Sequence, residues 1–219
     1  MKRLTIISIL FLLFMSACSD VSLLSGLFKA GSSDEGIRTD LIDDFSDNDS
    51  GWETFRREEG SAGYSKGVYK ITVNLYNADI FSTFTRTFAN SENTVWASRV
   101  EGSENNNFGI ICRFQDKDNF YSGQISSDGY AGIFKVENGN YQLLGHDQMI
   151  QSPMINGGEE INEVRFDCIQ ETLTLMVNGE NIDNQKDDAF WSGEVGLIAG
   201  NVDGNYGVFH FDEFSAMVR

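Results

Sequence analysis

The sequence predicts an all-β fold, with antiparallel sheets packed face to face over residues 41–219. Three observations predict it. Short runs of alternating apolar and polar residues recur at intervals of about ten residues, each bounded by turn residues. Asn138-Gly139, Asn178-Gly179 and Ser127-Asp128-Gly129 supply the positive φ that tight hairpins demand. No segment carries an apolar stripe of helical period over about ten residues; Asp187 to Trp191 is expected to form one helical turn at most. About a dozen strands without crossover helices leave antiparallel pairing as the arrangement that buries them. The seventeen phenylalanines need the resulting core to leave water.

The chain opens differently. Lys2 and Arg3 precede an apolar run from Leu4 to Phe14, followed by Met15-Ser16-Ala17-Cys18. A basic head, a short apolar segment and small residues before a cleavage point make a secretory signal over residues 1–17. The run is about eleven residues, roughly half of what a helix needs to cross a hydrocarbon core. Cys18, directly after Ser16 and Ala17, resembles the bacterial lipobox, although Met15 stands where that motif usually has leucine. The resemblance implies an exported protein tethered to a membrane of the bacterial cell envelope through acyl chains on Cys18. Residues 18–40, with Gly26, Gly31, Ser32, Ser33 and Gly36, read as the anchor and a flexible spacer.

The expected strands then follow in order: Trp52–Arg57, Val68–Leu75, Ile80–Thr87, Thr94–Glu101, Phe108–Phe114, Phe120–Ile125, Tyr130–Val136, Tyr141–Leu144, Val164–Ile169, Thr172–Val177, Val195–Ala199 and Gly207–Phe214. Cys112 shares a face with Phe108, Ile110 and Phe114, and Cys168 shares the apolar face of its own strand. Two cysteines pointing into one core, in an oxidising compartment, are expected to form a disulfide; two buried thiols are the other reading.

Charge narrows the partners. The net charge is −17, and removal of residues 1–17 with Lys2 and Arg3 takes it to −19. Such a field repels phosphate backbones and anionic lipid, which excludes nucleic acid and leaves the acyl anchor as the membrane contact. Neutral glycans, cations and basic partners remain.

Several segments occur together in a familiar order: Asp43-Asp44-Phe45-Ser46-Asp47 leading to Gly51-Trp52, Gly109 to Asp116 with Asn119-Phe120-Tyr121, Gly193 to Gly200, and Phe211-Asp212-Glu213-Phe214. This resembles the concanavalin A-like lectin/glucanase domains of bacterial exported proteins, including those grouped with laminin-G-like and 3-keto-disaccharide hydrolase domains. The resemblance implies a jelly roll of two curved sheets with ligands taken on the concave face. Its glucanase branch carries Glu-x-Asp-x-Glu on one strand, and nothing here matches that. Glu160-Ile-Asn-Glu163 lacks the middle aspartate, and Phe211-Asp212-Glu213-Phe214 lacks the flanking glutamates.

On the strand through Cys112, the opposite face carries Gly109, Ile111 and Arg113; on the next, Phe120, Ser122 and Gln124 share it. Arg113, Phe120 and Gln124, joined by Tyr130 and Trp191, form the expected sugar site, with rings to stack and amides to hydrogen-bond. The alternative is a solvated sheet face. Asp43, Asp44 and Asp212 are the expected ligands of a structural calcium, with turn-forming aspartates as the other reading. An EF-hand loop counted from Asp47 fails at Gly51 and Trp52. His146 and His210 are the only histidines, and no Gly-x-Ser-x-Gly elbow accompanies either. The expected function is a non-catalytic carbohydrate-binding or surface-interaction module; the alternatives are a glycosidase-type enzyme and a structural protein-binding lipoprotein.

Overall fold

A computed structural model describes residues 39–219. The expected export signal, Cys18 and most of the expected spacer lie outside the described residues, among which no helix occurs. Sixteen strands do. The first eight are β1 (Leu41–Asp43), β2 (Phe55–Arg56), β3 (Gly60–Ser65), β4 (Val68–Val73), β5 (Ala78–Phe88), β6 (Ser91–Gly102), β7 (Asn106–Asp116) and β8 (Asn119–Ile125). The second eight are β9 (Tyr130–Glu137), β10 (Asn140–Leu143), β11 (Ile150–Gln151), β12 (Asn162–Ile169), β13 (Thr172–Val177), β14 (Glu180–Lys186), β15 (Gly193–Asn201) and β16 (Gly207–Val218).

They form two antiparallel sheets. A nine-stranded sheet runs β14-β13-β12-β6-β16-β4-β3-β2, with β1 also on β16; a seven-stranded sheet runs β10-β9-β8-β7-β15-β5, with β11 also on β9. The hairpins form where turn chemistry allows. Lys66-Gly67, Asn138-Gly139 and Asn178-Gly179 have positive φ at both central residues, the geometry whose twist matches the flanking strands.

The period of two sends one face of each sheet into the interior. Tyr69, Ile71, Val73, Phe166, Leu175, Phe209 and Phe211 come from the larger sheet; Phe108, Ile110, Tyr121, Ile133, Leu197 and Ala199 come from the smaller. Each large side chain buried there contributes roughly 1.5–3 kcal/mol. Cys112 on β7 and Cys168 on β12 form a disulfide, Cα to Cα 6.7 Å, which joins the two sheets through the core.

Asp187 to Trp191 stays within the one helical turn that the sequence allows it at most, whereas the expected calcium site needs correction. No helical turn forms at Asp187 to Trp191, because the Asp187 carboxylate accepts from the Ala189 amide (3.0 Å), Lys135 Nζ (2.8 Å) and the Tyr121 hydroxyl, and so pins an irregular connection to β8 and β9. Asp43, Asp44 and Asp212 do not meet. Asp43 is buried between the sheets, where it accepts from the Phe45 amide (2.8 Å), the Trp52 indole (2.9 Å) and the Ser50 hydroxyl. That places Trp52 among Phe45, Tyr69, Phe84 and Phe214. Asp44 is tied to Ser46, and Asp212 lines a pocket on the outside of the larger sheet. Carboxylates on opposite faces of a sheet cannot share an ion, and no group of three acidic, histidine or cysteine side chains is placed to hold a metal among the described residues.

Candidate functional site

The outer face of the smaller sheet is hollow. Phe81 on β5 and Phe120 on β8 are three strands apart, yet their rings lie 5.8 Å from one another. The Tyr141 hydroxyl, on the edge strand β10, lies against the carboxylate of Asp79 on the opposite edge strand β5. In a flat sheet those two strands would stand about 24 Å apart, so the sheet curls around this face.

A cleft of 580 Å³ occupies the hollow. Its polar wall is built by register. Gly200 on β15 stands opposite Asp79 on one side and Asn107 on the other. A Cβ at Gly200 would collide with Asp79 Oδ1 and approach Asn107 Oδ1 to 2.7 Å, so only glycine lets the two side chains meet over it. Asn107 Nδ2 donates to Asp79 Oδ1 (3.0 Å) and to Gln124 Oε1 (2.6 Å), and Gln124 Nε2 donates to Ser122 Oγ (2.7 Å). Both amide hydrogens of Asn107 are thereby spent inside the wall. What remains for a ligand is chiefly acceptor capacity: the Asn107 carbonyl oxygen and the Asp79 carboxylate.

The other wall is apolar and aromatic, formed by Phe134, Leu143, Met149 and Tyr141. Gly132 gives Leu143 and Phe134 room to close over β9. The Tyr141 ring is about half exposed while its hydroxyl end is enclosed; that burial, and then the neighbouring Asp79 carboxylate, push the phenol well above the usual tyrosine range. Asp147 also lines the cleft, and no lysine or arginine does.

The residues expected from sequence divide sharply. Gln124 stands in the cleft wall. Phe120 lies under the floor, fully buried, in a second apolar cluster with Ile111, Val136, Ile198, Phe81 and Phe114, and meets Tyr141 edge-on at 6.3 Å. Arg113 is not on this face. A β-bulge after Cys112 gives Arg113 a φ of 51°, turns Phe114 outward instead, and buries the guanidinium. There Nε donates to Ala89 O (3.1 Å) and a terminal nitrogen to Phe190 O (2.9 Å), which makes Arg113 a structural tie. Tyr130 is partly exposed beside Gln151 and does not line the cleft. Trp191 is exposed before the start of β15, whereas the cleft lies at the Asn201 end, about 26 Å along that strand.

Asp79, Asn107, Tyr141 and Asp147 were not anticipated as site residues. The alternation that sends Gly109 and Ile111 outward also sends Asn107 outward, so that residue had a readable signal. Asp79 and Tyr141 had none, since nothing local says that two edge strands meet.

No family model matches this sequence, and a search of curated proteins gives no match. Solved structures do match. The carbohydrate binding module CBM66 from Bacillus subtilis aligns with a TM-score of 0.59 at 14% identity, covering 74% of this chain and 93% of that one. A β-glucanase from Bacillus licheniformis aligns with a TM-score of 0.62 at 10% identity, covering 82% and 98%. A protein of unknown function with a galectin-like fold, also from Bacillus subtilis, gives 0.57 at 11% identity, covering 82% and 96%. At such identities the likeness speaks for fold, and the described residues form a concanavalin A-like jelly-roll sandwich, the fold these neighbours share.

Proposed function

We propose that this domain is a non-catalytic carbohydrate-binding module, carried on an exported protein anchored through lipid on Cys18, and that the cleft over β5, β7, β8, β9 and β10 takes a neutral saccharide. One observation carries the reading: an acceptor wall of Asp79 and Asn107 faces an apolar wall of Phe134 and Tyr141 across one hollow. Sugar hydroxyls donate to the first, and the carbon-rich face of a pyranose or furanose ring packs on the second. Uronates and sulfated glycans are disfavoured, because the cleft holds two carboxylates and no cation to neutralise theirs. The fold neighbours include a carbohydrate-binding module, which supports interaction with a saccharide.

A hydrolytic reading rests on a separate observation: Asp79 and Asp147 line the same cleft from different elements. Retaining and inverting hydrolysis both need two such groups flanking the scissile bond.

The test is a glycan array on the purified protein, followed by calorimetry on the best neutral oligosaccharide. Asp79→Asn should weaken binding about ten- to a hundredfold, the worth of one hydrogen bond to a charged acceptor. Gly200→Ala should do the same by wedging Asp79 from Asn107. Retention of acidic glycans in preference to neutral ones sinks the proposal. Release of reducing ends that stops in both Asp79→Asn and Asp147→Asn establishes the hydrolytic reading in its place.

A further inference from the structure

The outer face of the nine-stranded sheet carries a pocket of 420 Å³ on the side of the molecule away from the saccharide cleft. Its wall is an indole. Trp96 on β6 is 41% exposed, although a large aromatic on a sheet face gains by being covered. The register sets a carboxylate on each side of it: Glu163 of β12 is its direct partner on one flank and Asp212 of β16 on the other. A β-bulge follows Asp212, where Glu213 takes a φ of 49° and joins the pocket lining. Ile161, 57% exposed, completes the apolar rim.

Two cations border this arrangement from outside the pocket lining. Arg165 pairs directly with Asp167 (2.7 Å) and Glu92 (3.1 Å) and reaches Glu163 only through the weaker pull of its charge. Lys70 stands opposite His210, which also lines the pocket and whose pKa is held below the ordinary histidine value by burial and then by that lysine. No lysine or arginine is in the lining.

We propose that this face docks a cationic side chain, an arginine or lysine presented by a basic protein partner. The π-face of an indole attracts a cation, and carboxylates on both flanks supply the hydrogen-bond acceptors and the charge that an apolar wall lacks. Ile161 packs along the aliphatic stem of such a side chain. The net charge of −17 steers a basic partner toward the domain and opposes a second copy of the chain at this face.

The test uses tetra-arginine amide and the purified protein, read by the Trp96 indole N–H resonance, which is assigned by its loss in Trp96→Phe. The peptide should shift that resonance. Asp212→Asn combined with Glu163→Gln should weaken the peptide about tenfold, and a rise from about 0.05 to about 0.3 M salt should weaken it further. Trp96→Ala should weaken it by a similar factor while the melting temperature stays close to that of the parent. Asp79→Asn and Asp147→Asn in the saccharide cleft should leave the peptide affinity unchanged, which separates this site from the general negative field. The proposal is overturned if the cleft variants weaken the peptide as much as the Asp212 and Glu163 changes do. It is equally overturned if a neutral oligosaccharide, and not the peptide, shifts the indole.

Discussion

Cutting the link between Cys112 and Cys168 should destabilise the domain by an amount that the chain itself sets. The two cysteines are 56 residues apart and tie the smaller sheet to the larger. In the chain-entropy account, opening a loop of that length restores about 4 kcal/mol of conformational freedom to the unfolded chain. For a domain of about 180 residues each kcal/mol moves the melting temperature by roughly 2–4 °C, so the expected fall is about 8–16 °C. The change is made as Cys112→Ala with Cys168→Ala, because both sulfurs are fully buried and a reductant reaches them slowly. Loss of two buried sulfurs from a packed core adds about 2 kcal/mol, which deepens the fall beyond the entropic figure. Calorimetry gives the melting temperature, and urea titration gives a second signature. The uncrosslinked unfolded chain expands further, so the dependence on urea should steepen as the midpoint falls. Reductant should change nothing in the double variant. A fall of less than about 3 °C with an unchanged urea slope would refute the reasoning, for it would mean that the unfolded chain already holds this segment closed.

Three other outcomes are expected. Arg113→Ala should cost about 3 kcal/mol or more, since it leaves the Ala89 and Phe190 carbonyls without their donor in a buried place, and should leave saccharide retention intact; lost retention at an unchanged melting temperature would put Arg113 back in the binding site. His210 is held below the ordinary histidine value by burial and by the charge of Lys70, so its stabilising contribution is full above about pH 6.5 and is lost as pH falls through its lowered pKa. His210→Gln should therefore reduce the drop in melting temperature between about pH 7.5 and about pH 5.5, and an equal drop in both proteins would remove His210 as a cause. On the proposed lipid anchoring, Cys18→Ser should release the protein from membranes, because acyl chains would be its hold on the bilayer; a variant that stays acylated and membrane-bound contradicts the lipobox reading.

The strands that could be read from the chain are those with an apolar face. Val68–Leu75 and Thr172–Val177 are expected strands: β4 ends two residues early, at Val73, β13 has the expected bounds, and both bury every second residue. Their hairpin partners carry no such signal. Gly60–Ser65 and Glu180–Lys186 have almost no apolar residues, and they are strands because the turns at Lys66-Gly67 and Asn178-Gly179 fold them back onto β4 and β13. The turns were legible and the polar strands beyond them were not, since an edge strand is held by its neighbour's ladder and needs little side-chain burial of its own. Alternation alone puts Ser122 and Gln124 on the face they occupy. The same alternation puts Arg113 and Phe114 on the opposite faces to those they occupy, because one bulge residue reverses every later assignment on its strand.

Local patterning, then, was enough for the class of fold, for the faces of the regular strands and for the two cysteines that share one core. Those features follow from the alternation of side chains along a strand, which is written in consecutive residues. The candidate cleft was decided elsewhere. Asp79, Asn107 and Tyr141 come from three strands, and Asp79 and Tyr141 meet only because the sheet curls and Gly200 leaves the space between Asp79 and Asn107 empty. Curvature accumulates over a whole sheet from twist and bulges. No short stretch of sequence contains it, and so the site had to wait for the tertiary structure.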